Sequence, residues 1–138
     1  MREIEFRGKT YGGVWFYGYY LINRNRSGND YDTIYHPDTD IFIMVIPETV
    51  GQLFLNNPEI CKSKLFEHDI VRIKLPDSPF DEGRTFIGVI EFDTCDGRFK
   101  VNEWRNGESD WDFHYIHIDM EVEKLGNIFD NPELRGEL

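Results

Sequence analysis

The segment that most narrows the fold is residues 65–92, LFEHDIVRIKLPDSPFDEGRTFIGVIEF. Val71, Ile73 and Leu75 alternate with Arg72 and Lys74, the period-2 pattern of a strand with one buried and one wet face. Residues 86–92, FIGVIEF, are almost continuously apolar and rich in β-branched side chains, as expected of a strand covered on both sides. Gly88 interrupts that run and marks a bulge or a close approach. The intervening PDSPFDEGR holds two prolines and a glycine among acidic residues, which excludes a central strand and predicts a long hairpin loop. The two runs are therefore expected to fold back on one another.

The remaining chain reads as further short strands. Ile4 and Phe6 alternate with charged residues in an edge-like strand closed by Gly8. Residues 14–22, VWFYGYYLI, place Val14, Phe16 and Gly18 on one face and Trp15, Tyr17 and Tyr19 on the other, with apolar bulk on both. Residues 31–35 are expected to pair back across the loop NRNRSGND. Residues 41–46, IFIMVI, are fully apolar and read as a central strand ended by Pro47. ETVGQLF is too short for a helix, and Asp96-Gly97 between two strand-like runs is a strong hairpin signal. A further strand is expected over residues 113–120. Short strands with turns at regular intervals predict a small barrel or roll.

The chain contains no alanine and one glutamine, while Phe, Tyr, Ile and Val abound, so little helix is expected. At 138 residues, one compact domain over 1–138 is expected. Its weakest joint, at 55–64, would divide an amino-terminal β subdomain (1–60) from a barrel (61–138). Cys61 and Cys95 form no CxxC and no paired framework, and MREIEFRGK lacks the apolar core of a secretory leader. No apolar run approaches the roughly 18 residues of a transmembrane helix. A reduced, cytoplasmic protein away from membranes is expected.

The formal charge of −11 is uneven: residues 1–90 hold 10 Lys/Arg against 13 Asp/Glu (−3), and 91–138 hold 5 against 13 (−8). A field of this sign opposes non-specific binding to nucleic acid and to anionic membranes. It also argues against a stacking platform for single strands, which needs a basic groove beside its aromatics. Trp111 is flanked by Asp110 and Asp112, so Trp104 and Trp111 read as core or protein-interface residues.

Chemistry finds little purchase. His114 and His117 are three apart, which in a strand sends them to opposite faces. His36 precedes Pro37 in a turn, and His68 sits at a strand entrance where turn capping suffices as an explanation. The pairs Asp38/Asp40 and Asp110/Asp112 carry the spacing but not the apolar surroundings that general acid–base work needs. Cys95 lies among Asp93, Thr94 and Asp96, an environment that disfavours a thiolate. No DxDxDG, GxxxxGK[ST] or GxGxxG pattern occurs. No catalytic residue, metal site or cofactor is expected.

Several stretches together resemble the YopX family of phage-encoded proteins: REIEFRGK (2–9) with VWFYGYY (14–20), PETVGQ (47–52), LFEHDIV (65–71), GVIEF (88–92) and LGNIFDNPEL (125–134). The resemblance implies a mainly β protein with an SH3-like barrel or roll, encoded by phage or prophage and working in the bacterial cytoplasm. It supplies no catalytic residues. The family usually has a glycine before the Asp that opens its barrel strand, where His68 stands here; histidine tolerates a positive φ less well than glycine.

The functional expectation is a non-enzymatic β module that binds a phage or host protein. Its surface is expected to include Trp15, Tyr17 and Tyr19, the loop residues Asp77, Phe80 and Asp81, and Trp104, Asp110, Trp111 and Asp112. The apolar run at 14–22 also suggests a homo-oligomer, since one face of a small sheet needs fewer such residues. The competing reading is an acidic mimic of nucleic acid that inhibits a host DNA-binding or defence protein, its carboxylates spaced like phosphates. A hydrolase using paired carboxylates or histidines is a third reading, and requires titratable groups converging in a pocket.

Overall fold

The computed structural model describes residues 4–24, 28–76, 83–105, 108–114 and 120–137, with the main chain alone for 105, 108–114 and 135–137. The chain divides into two compact units, Met1–Leu53 and Phe54–Leu138. The protein is mainly β, with two antiparallel sheets and only short 3-10 turns among the described residues. No helix there is long and apolar enough to cross a membrane.

The first unit is built from β1 (Phe6–Lys9), β2 (Trp15–Arg24), β3 (Asp30–His36), β4 (Ile41–Met44) and β5 (Gly51–Leu55), whose first residues close the unit. The strands lie in the order β4-β3-β2-β1-β5. Residues 31–35 do pair back on β2, with Tyr19 opposite Tyr35 and Leu21 opposite Thr33. Three expectations are corrected. The opening strand is not an edge: β1 lies between β2 and β5. Gly8 does not close it but sits within it, where a Cβ would come 2.9 Å from Val45. Conversely, the apolar segment read as central forms β4 at the sheet's edge. The cause is the path that follows it. Val45 N–H still donates to Asp32 C=O (3.0 Å), but Ile46 N–H donates to Lys9 C=O (2.8 Å), and Thr49 Oγ1 accepts Lys9 N–H (2.9 Å). The chain thus leaves β3 for β1, makes a 3-10 turn at Pro47–Thr49 and continues as β5.

The second unit contains β6 (Leu65–Phe66), β7 (Asp69–Lys74), β8 (Thr85–Asp93), β9 (Arg98–Arg105), β10 (Glu108–His114) and β11 (Glu121–Asn127), followed by a 3-10 segment, Pro132–Glu137. Its sheet runs β10-β9-β8-β7-β11. The organising hairpin is present: Val71 faces Gly88, Ile73 faces Phe86, and Leu75 N–H donates to Arg84 C=O at 2.8 Å. The alternation in β7 sorts as predicted, with Val71 and Ile73 fully buried and Arg72 and Lys74 exposed. Gly88 marks a close approach, since a Cβ there would stand 2.6 Å from the Asn102 carbonyl oxygen. The β8–β9 turn uses Gly97 at φ 69°, and Asp93 Oδ1 accepts Cys95 N–H at 2.9 Å. Cys61, Leu65, Val71, Ile73, Phe86, Ile90, Phe99, Val101, Met120 and Val122 form the core, with Phe54, Leu55, Ile60 and Leu75 packed against it. Neither sheet closes into a barrel, and β10 and β11 are the edges of the second.

His68 does adopt a positive φ, 77°. The turn is held from several sides. Its N–H donates to Ile90 C=O (2.8 Å), its C=O accepts Ile128 N–H (3.1 Å), and its ring meets Phe129 edge-on at 5.2 Å. The fully buried Asp69 carboxylate accepts Phe66 N–H at 2.7 Å and faces Lys124 Nζ at 3.4 Å. Surrounding contacts that over-determine a turn can sustain a left-handed residue that is not glycine.

Candidate interaction surface

Because strand side chains alternate between faces, the register of the first unit assigns each residue a side. Trp15, Tyr17, Tyr19 and Leu21 of β2 share one face. The positions opposite them are Lys9, Arg7, Tyr35 and Thr33. Phe42 and Met44 of β4 lie beyond Tyr35 and Thr33, and Tyr31 lies opposite Asn23 further along. Tyr17, Tyr19, Leu21, Tyr31, Phe42 and Met44 are all exposed there, with Phe42 at 53% and Tyr19 at 52%. The Tyr35 and Phe42 rings stack 4.5 Å apart, and Trp15 is half-buried with the Arg7 guanidinium 4.6 Å from its ring centre. Arg7 itself is 2% exposed. The face therefore presents aromatic and aliphatic surface with Arg7 drawn inward, unlike a groove lined with exposed basic groups that tracks phosphates.

The opposite face carries the unit's small interior. Ile34 and Val45 are buried on it, and Tyr20 packs against Phe6 with ring centres 5.7 Å apart. Tyr20 Oη donates to Asp32 Oδ2 at 2.5 Å. Burial, reinforced by the Asp32 carboxylate, pushes the Tyr20 phenol up to about 12. Tyr35 Oη donates to Asp40 Oδ1 at 2.8 Å, which raises that phenol too.

The residues expected at an interface separate into three groups. Trp15, Tyr17 and Tyr19 come together on the aromatic face. Trp104 does not present itself: at 8% exposure it packs with Ile70 and Val89, with Ile87, Leu125, Ile128 and Leu134 around them. Asp110, Trp111 and Asp112 lie on β10, where the main chain alone is described, and Asp77, Phe80 and Asp81 lie outside the described residues. Leu21, Tyr31, Phe42 and Met44 were not anticipated. Their only signal was alternation within each strand, and the β2–β3–β4 register was needed to align those alternations.

Among the described residues, no group of three or more His, Cys, Asp or Glu is arranged to hold a metal. A groove of about 580 Å³ in the second unit is lined by residues 58–63 and by residues of β7, β8 and β11. Its facing strands alternate in charge: Lys74 stands opposite Glu121, and Arg72 opposite Glu123 with Nη1 to Oε2 at 3.0 Å. Such pairs largely neutralise one another. Glu103 and Asp93 are similarly engaged. Glu103 takes both Arg84 nitrogens at 3.0 Å. Asp93 accepts Lys100 Nζ at 2.8 Å, which holds its carboxyl below the ordinary range with help from Cys95 N–H. Cys61 is buried and Cys95 exposed, and both are free thiols.

Compared with known proteins, the chain has no match among family models, curated proteins or solved structures.

Proposed function

We propose that this chain is a non-enzymatic protein-binding module, phage- or prophage-encoded and YopX-like, that docks a phage or host protein in the bacterial cytoplasm. The observation that carries the reading is the aromatic face of the first sheet, where Tyr17, Tyr19, Leu21, Tyr31, Phe42 and Met44 are exposed together. Tyrosine and methionine are enriched at protein interfaces, and lone exposed apolar residues need no explanation where a contiguous set does. An SH3-like arrangement of the second unit belongs to the same reading. It is supported by the strand order, a four-strand meander whose fifth strand, β11, returns beside the first. The competing reading, an acidic mimic of nucleic acid, gains no support from Asp69, Asp93, Glu103 and Glu123, which lie against cations.

The test is affinity capture from phage-infected cells with the full chain and two variants. Tyr19→Ala with Leu21→Ala is expected to lose the specifically retained protein, whereas Ile22→Ala, on the opposite face, is expected to keep it. An identical set of retained proteins for all three chains would overturn the reading.

A further inference from the structure

Of the four strands that end the two sheets, β4, β10 and β11 differ in how they are protected, while β6 is buried. Natural sheets guard open edges with charges, prolines or bulges, because unpaired main-chain groups otherwise recruit another strand. In the second sheet, β10 carries Glu108, Asp110 and Asp112 and shifts register between Ser109 and Phe113. Its opposite edge, β11, carries Glu121, Glu123 and Lys124 and shifts register between Lys124 and Gly126. By contrast, β4 reads IFIM, with no charge, proline or shift along its pairing to β3. Ile41, Phe42 and Met44 are 42%, 53% and 48% exposed.

The hydrogen bond from Val45 N–H to Asp32 C=O (3.0 Å) sets the phase of this edge. In an antiparallel ladder, hydrogen-bonded and non-hydrogen-bonded pairs alternate. Counting back from Asp32/Val45, the pairs Ile34/Ile43 and His36/Ile41 use their main-chain groups on each other. The N–H and C=O of Phe42 and Met44 therefore point away from β3, along the open side of the sheet.

We infer that β4 pairs antiparallel with β4 of a second copy of this chain, about a two-fold axis through Ile43, to join the two amino-terminal sheets into one. Three features select a second copy. The first is register: with Ile43 opposite its own mate, Phe42 faces Met44 of the other copy and the reverse, so every outward-pointing group meets another and four main-chain bonds form. The second is side-chain content. The seam holds only Ile41, Phe42, Ile43, Met44 and Val45, and it sets a methionine thioether beside each Phe42 ring, a favourable contact. The third is charge. Residues 1–53 carry five Lys/Arg against seven Asp/Glu, leaving −2 of the total −11 in this unit. Asp40, the carboxylate next to the strand in sequence, would lie about 20 Å from its mate along the paired strands, roughly two Debye lengths at physiological salt. A four-residue edge places the contact at the small end of specific interfaces, below about 1,200 Å², so pairing depends on concentration. This inference goes beyond the partner-binding role and does not rest on it.

Sedimentation equilibrium of the full chain from micromolar to millimolar concentration is expected to show a reversible monomer–dimer system. Met44→Pro deletes an N–H that β3 does not use, removes two of the four seam bonds, and is expected to raise the dissociation constant about tenfold or more. Phe42→Lys is expected to act in the same direction by placing charge in the seam. A cross-link fixes the register independently of these variants. In a Cys95→Ser background, Ile43→Cys puts two thiols at a non-hydrogen-bonded pair with Cα atoms about 4.5 Å apart, within disulfide reach. Ile41→Cys leaves its thiols about 13 Å apart along the strands. Mild oxidation should therefore give a covalent dimer with the first and not with the second. A chain that stays monomeric throughout, a dimer indifferent to Met44→Pro, or equal cross-linking at both positions would overturn the inference. A monomer that loses a captured partner on Met44→Pro would overturn it too, and would assign the edge to a foreign strand.

Discussion

Ile22 on β2 and Ile73 on β7 are the same side chain in interior strands of antiparallel sheets, yet Ile22 is 53% exposed and Ile73 fully buried. The difference extends to their surroundings. Among the described residues, eleven of the twelve large apolar side chains that remain exposed belong to the first unit, Phe92 being the exception. The second unit lays Phe54, Leu55, Ile60, Cys61 and Leu65 over one face of its sheet. The first is a single sheet whose fully buried apolar residues are Ile34, Val45 and Leu53. The contrast teaches that strand propensity makes a sheet, but a second layer is what makes a core. A sheet with apolar residues on both sides and a single layer leaves much of that apolar surface exposed, here Tyr17, Tyr19, Leu21, Phe42 and Met44.

The contrast can be broken by truncating matched residues. Ile73→Ala removes fully buried methyl groups and is expected to cost about 2–5 kcal/mol, read as a lower urea midpoint. Leu21→Ala, at 42% exposure, is expected to stay within about 0.5 kcal/mol. Equal losses at both positions would show that the first sheet has a covering that its exposure hides.

A smaller effect sharpens the picture of the second unit. Asp69→Ala leaves Phe66 N–H without its acceptor inside the β6–β7 turn and takes the carboxylate from Lys124, with an expected cost of about 1–3 kcal/mol. Exchange of the His68 amide, which donates to Ile90, should accelerate in the same variant. Unchanged stability and exchange would mean that the Phe129 and Ile128 contacts alone hold the turn.

The smallest effect concerns the first unit's thin interior. Tyr20 keeps its proton to about 12 when folded, against an ordinary 10.0. The favourable contribution of this raised group is complete below pH 10, declines as pH rises, and is gone above about 12. Alkaline difference spectra should show a phenol ionising near 12 that Tyr20→Phe removes. A Tyr20 titrating at the ordinary value would place it in water, leaving the first unit with even less interior.

Much of the second unit was legible in the chain. Alternation at residues 71–75, the apolar run at 86–92 and Asp96-Gly97 each report on local geometry, and the hairpin, its buried face and its turn appear as those patterns imply. Gly88 signalled a close approach without naming Asn102 as its neighbour. The candidate surface was only half legible. Trp15, Tyr17 and Tyr19 share a face by their spacing alone, whereas Phe42 and Met44 join them only through pairing with β3. Trp104 and Tyr19 illustrate the limit: both are large aromatics in strands, and one is buried while the other stands in solvent.

The chain's own composition and periodicity determined that it would be mainly β, poor in helix and strongly acidic, because propensity and charge are local properties of residue types. Which strands became edges was decided only in three dimensions. IFIM has the composition of an interior strand, yet Ile46 and Thr49 bond to Lys9 instead of extending β3's ladder, and that long-range exchange leaves β4 open at the rim of its sheet. Pairing between residues almost forty positions apart depends on where the connecting turns aim the chain, and a residue pattern within one strand carries no record of that.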